Sequence, residues 1–95
     1  MKVYKNDKIQ KSLKRKGFCE DPGKDHVFLV FYYDEKTTNI RTKLSRGKSE
    51  PGKDIMVKIR KQLKLNIQYD FEKLIDCSMS KEDYIQFLRK NNILE

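Results

Sequence analysis

His26-Val27-Phe28-Leu29-Val30-Phe31-Tyr32-Tyr33 is the longest apolar stretch in the chain. Its β-branched and aromatic side chains suit a pleated, packed surface better than a helix, so it reads as a β-strand. Odd and even positions are both apolar, which marks a strand apolar on both faces. Phe31, Tyr32 and Tyr33 could alternatively serve as stacking platforms for nucleic-acid bases. An unbroken apolar run, however, is the signature of core, and they are assigned there.

The neighbouring segments follow from this strand. Asp34-Glu35-Lys36-Thr37-Thr38-Asn39 supplies a polar turn, and Ile40-Arg41-Thr42-Lys43-Leu44 then alternates. Ile40, Thr42 and Leu44 fall on one face and Arg41 and Lys43 on the other, the pattern of a hairpin partner. Upstream, Asp21, Pro22 and Gly23 form a turn. Before it, Lys8 to Lys16 reads as a short helix with Ile9 and Leu13 on its apolar stripe, Asp7 as its cap and Gly17 as its stop. Lys8, Lys11, Lys14, Arg15 and Lys16 make the rest of that helix a cationic outer surface, and Phe18 to Glu20 can add an edge strand.

Downstream, Ser45 to Lys53 is a basic loop with two Gly and one Pro. Asp54 then caps a helix from Ile55 to Leu63, whose Ile55, Met56, Ile59 and Leu63 should pack on the hairpin. Two further short helices follow, Tyr69 to Cys77 and Lys81 to Asn91. Ser80-Lys81-Glu82-Asp83 resembles a capping box. Phe71, Leu74, Ile85 and Leu88 are apolar enough to dock these helices on the rest. The expected architecture is α+β: an α-β-β-α or α-β-β-β-α body with an antiparallel sheet and helices on one face, over residues 1–65, and a C-terminal helical extension over 66–95. At 95 residues the two together make one domain.

Charge narrows the function. The net charge is +8, and residues 1–64 hold 18 Lys or Arg against 8 Asp or Glu, whereas residues 65–95 hold 4 against 6. A basic body with a mildly acidic tail suits a polyanion, and RNA is the expected partner. Arg41, Lys43, Arg46, Lys48 and Lys53 flank the hairpin end, with Lys24 at the turn before the long strand. Lys11, Lys14 and Arg15 line the first helix. If both sets share one face, they form a phosphate-tracking groove. No apolar run reaches the roughly 20 residues of a membrane span and no signal-peptide core is present, so a cytoplasmic protein without a membrane partner is expected. Cys19 and Cys77 lack metal or disulfide spacing and read as reduced, partly buried hydrophobes.

Phosphate-cradling Gly loops, dinucleotide fingerprints and paired metal-binding His are missing from the sequence, and no metal or other cofactor is expected. His26 is the single imidazole, placed where a Gly-containing turn feeds the long strand. One base among cations is sufficient for RNA cleavage: the imidazole takes the ribose 2′-OH proton, the oxygen attacks the adjacent phosphorus, and Lys or Arg offset the added negative charge.

The order of Lys16-Gly17-Phe18 closing a helix, Gly23-Lys24-Asp25-His26 opening a strand, and Lys61-Gln62-Leu63 closing a later helix resembles the HicA family, small ribonuclease toxins of toxin-antitoxin pairs. The likeness spans about residues 7–65. Where that family has a Gly-Ser-His turn, this chain is one residue longer and carries Asp25 beside the His. The resemblance implies a fold like a double-stranded-RNA-binding domain, His26 as catalytic residue, messenger RNA as substrate, and a separate antitoxin that covers the site. Two other classes fit the same residues: a double-stranded nucleic-acid-binding module that does not cut, and an interaction protein whose charge serves solubility alone. Oligomeric state is left open by the residues.

Overall fold

A computed structural model describes residues 3–22, 26–45, 50–76 and 78–94. The elements run α1 (Asn6–Arg15), β1 (Phe18–Pro22), β2 (His26–Tyr33), β3 (Lys36–Ser45), α2 (Lys53–Gln62), α3 (Gln68–Ile75) and α4 (Lys81–Lys90). The long apolar strand is the middle of a three-stranded antiparallel sheet of order β1-β2-β3. Phe18 to Glu20 does form an edge strand, extended to Pro22, so the body is α-β-β-β-α and the fold is α+β. Among the described residues, no helix is long and apolar enough to cross a membrane.

Strand parity decides what the sheet presents on each side. Val27, Leu29 and Phe31 of β2, Phe18 of β1, and Ile40, Thr42 and Leu44 of β3 face one way and are buried. They meet Ile9 and Leu13 of α1, Met56 and Ile59 of α2, Phe71, Leu74 and Ile75 of α3, and Tyr84 and Leu88 of α4 in one continuous core. All four helices therefore cover the same side of the sheet. The opposite parity places His26, Phe28, Val30 and Tyr32 on the other side, where Phe28 is 38% and Tyr32 41% exposed. The expectation that Phe31, Tyr32 and Tyr33 all belong to the core is corrected in part: Phe31 is core, Tyr33 is half-buried against it, and Tyr32 looks outward.

Local signals account for some element boundaries. Gly17 adopts φ +96° after α1, and Lys16 and Gly17 donate back to the carbonyls of Leu13 and Lys14. Only glycine takes that conformation without strain. The β2–β3 turn is shorter than expected. Asp34 and Glu35, at φ 55° and 61°, form a two-residue turn whose twist matches the flanking strands, so β3 begins at Lys36 rather than Ile40. The extra residues are absorbed in a bulge between Val30 and Tyr32. There the Thr38 hydroxyl donates to the Phe31 carbonyl at 2.9 Å and accepts from the Ile40 amide at 3.1 Å.

Several expected side-chain roles change. Lys5 and Gly52, not Asp7 and Asp54, occupy the N-cap positions of α1 and α2, and neither has a side-chain cap. The acids instead sit in the first helical turn, where they complement the dipole. Lys16 is buried at 5% exposure rather than part of the cationic surface, Ile55 is exposed, and Cys19 is exposed. Cys77 lies outside the described residues. The α4 capping box is present as expected: Asp83 N–H donates to Ser80 Oγ, and Ser80 N–H donates to Asp83 Oδ2, both at 3.1 Å.

Candidate functional site

β2 starts at His26, which pairs with Ser45 at the end of β3. Antiparallel pairing therefore brings the imidazole to the rim of the sheet where the chain leaves β3 and turns into α2. A cleft of about 590 Å³ opens there. His26 and Phe28 line it from β2, Arg41 and Lys43 from β3, and Ile55, Lys58 and Gln62 from α2. His26 is half-buried, neither sealed in the core nor fully in solvent. Arg41, Lys43 and Lys58 are exposed, and among the described residues no ion pair engages them. Glu50 is the one carboxylate among the described lining residues.

Two features of α2 shape this wall. Its 55, 58, 59 and 62 positions follow the one-face helical spacing, with Ile59 buried and Ile55 and Lys58 turned toward the opening. The Gln62 side-chain Oε1 accepts from the buried Thr42 hydroxyl at 2.7 Å, pinning the helix to β3. The helix also begins at the cleft, since Gly52 lines it and is the N-cap. Its backbone amides add to the positive potential, partly offset by Asp54 in the first turn.

The basic residues identified in the sequence fall into separate groups. Arg41 and Lys43 share the open sheet face and the cleft with His26. Lys53 is exposed in the first turn of α2 but does not line the cleft. Lys11, Lys14 and Arg15 project from α1, in the helical layer on the far side of the sheet, and Lys14 pairs with Glu20 at 2.7 Å. The two cationic sets therefore do not form one groove. Lys24, Arg46 and Lys48 lie outside the described residues.

Sequence reasoning passed over Lys58 and Phe28. Lys58 carried a usable signal, since it sits one turn after Ile55 and one before Gln62 on the α2 stripe. Phe28 shares parity with His26 and stands opposite Lys43 in the β2–β3 register. The cleft thus joins one imidazole, three cations and an aromatic ring at the edge of an open sheet. Chemically, that set can hold a phosphate and move one proton. Compared with protein-family models, curated proteins and solved structures, the chain matches none of them.

Proposed function

We propose that the protein binds RNA and cleaves it as a metal-independent endoribonuclease, with His26 as general base, in the manner of a toxin held in check by a separate antitoxin. What carries the reading is the position of His26 in a cleft with Arg41, Lys43 and Lys58. The cleft is open to solvent, and Arg41, Lys43 and Lys58 are exposed in it. In the reaction, His26 takes the proton of a ribose 2′-OH and the 2′ oxygen forms a bond to the adjacent phosphorus. The bond from phosphorus to the 5′ oxygen breaks, that oxygen takes a proton from water, and the hydroxide left is neutralised by the proton that His26 gained. The products are a 2′,3′-cyclic phosphate and a 5′-hydroxyl. Arg41, Lys43 and Lys58 offset the charge that builds on the phosphoryl oxygens. The antitoxin would be an acidic protein that covers His26 and the cations beside it.

The test is cleavage of a defined RNA by the full chain in the presence of a chelator. His26→Ala is expected to slow cleavage by about 10²- to 10⁴-fold and to relieve growth arrest on expression, with RNA affinity nearly intact. A 2′-O-methyl group at the cleaved nucleotide should block the reaction. Undiminished cleavage by His26→Ala, or none by the wild type, overturns the catalytic reading. RNA binding without cleavage would leave a non-catalytic binding module, a reading favoured by the aromatic rings exposed beside the same cations.

A further inference from the structure

The outward face of the sheet carries two exposed aromatic rings that cleavage in the cleft does not use. Tyr32, Val30, Phe28 and His26 occupy alternate positions of one strand and share one face, a row roughly 20 Å long from end to end. Phe28 and Tyr32 are large, apolar and about two-fifths exposed, whereas every other aromatic ring of the strand is in or against the core. The neighbouring strand sets Lys43 opposite Phe28 and Arg41 opposite Val30. On the other flank Asp21 stands opposite Phe28 and Cys19 opposite Val30. The cations thus run along one side of the aromatic row.

We infer that this row is a track for unpaired RNA, with bases stacked on Tyr32 and Phe28, phosphates on Arg41 and Lys43, and the strand leading into the His26 cleft. The inference rests on the RNA reading of that cleft and names its substrate as single-stranded. Paired RNA shows phosphates and 2′-hydroxyls but keeps its base faces stacked inside the helix, so exposed rings gain nothing from it. Unpaired bases offer a π-face to each ring, whatever the sequence. Phe28 and Tyr32 are roughly 13 Å apart along the strand, too far to sandwich one base, so each takes its own. A second copy of this chain fits the face poorly, because like-charged Arg41 and Lys43 would be brought together in a protein of net charge +8.

The experiment is fluorescence polarisation of the full chain with a labelled 2′-O-methyl oligouridylate, which cannot be cleaved, and with a blunt RNA duplex of the same length. The wild type is expected to bind the single strand more tightly. Phe28→Ala and Tyr32→Ala should each weaken that binding by roughly 5- to 150-fold without changing its salt dependence, while Phe28→Trp and Tyr32→Phe retain it. Lys43→Ala should instead lower the salt slope by about 0.7. Alanine variants that bind the strand as the wild type does overturn the track, as does tighter binding of the duplex. Sedimentation showing a dimer that Phe28→Ala dissociates would also overturn it. If the alanine variants bind normally while His26→Ala abolishes cleavage, only the track falls. If the wild type binds neither RNA, the proposed function falls with it.

Discussion

Tyr84 stands at the centre of the core and ties three elements together. Its hydroxyl donates to the Leu63 carbonyl at 2.7 Å, and its ring meets Phe31 edge-on at 5.3 Å and Phe18 at 6.0 Å. Tyr84→Phe keeps the ring but leaves a buried carbonyl without that partner, so a loss of about 1–3 kcal/mol is expected in urea unfolding. Burial also raises the Tyr84 phenol well above its ordinary value. Tyr4 is raised too, by burial first and then by its hydrogen bond to Asp76. A folded pKa above the unfolded one gives stability that is complete below the unfolded value, near 10, and is lost as pH rises beyond it. Unfolding measured at about pH 9 and about pH 11 should therefore show a fall for the wild type and a smaller fall for Tyr84→Phe. An equal fall in both proteins would contradict Tyr84 as a source of it.

Among the elements, α4 is held by the most complete local device, the reciprocal Ser80–Asp83 box. Ser80→Ala removes one side of it and is expected to lower stability by about 1 kcal/mol, read from the denaturation midpoint. The Asp83 carboxyl is held below its usual range, first by hydrogen bonds from the Ser80 backbone and side chain and then by the nearby Lys16 and Lys73 charges. Its contribution is present above the unfolded carboxylate value and disappears as pH falls through the lowered one. Thermal unfolding of Asp83→Ala should accordingly differ from wild type at neutral pH and converge with it in acid. This box was legible in the sequence because all its partners lie within four residues. Asp7 and Asp54 carried the same kind of signal, yet each is the second residue of its helix. Side-chain identity marks a helix start only where no tertiary contact extends the helix past it, and both α1 and α2 are anchored by their buried faces. The start of β3 was likewise misjudged, because a two-residue turn with φ above zero at Asp34 and Glu35 has no glycine or asparagine to announce it.

At the scale of the whole molecule, what the sequence hid is which sheet face the helices cover. Alternation in Ile40 to Leu44 exposed its parity plainly, and β3 folds as its pattern demands. In β2 both parities are apolar, so only the side taken by α1, α2, α3 and α4 decides that Phe31 is core and Tyr32 is surface. The same non-local choice puts Arg41 and Lys43 with His26 and sends Lys11, Lys14 and Arg15 to the far layer. It also binds the tail to the body. Phe71, Leu74, Ile75, Tyr84 and Leu88 share one core with Phe18, Phe31 and Leu13, and the Ser12 hydroxyl donates to the Ile75 carbonyl at 2.7 Å across the α1–α3 contact. A chain ending at residue 65 would lose Tyr84 of α4 from Phe18 and Phe31 on the inner side of the sheet and would strip α3 from α1. The full chain is therefore expected to unfold in one cooperative transition. The 1–65 fragment should lack that transition and bind an apolar dye such as ANS. A sharply unfolding fragment would mean that the α-β-β-β-α body closes its own core, and that the last two helices are an addition to a domain complete without them.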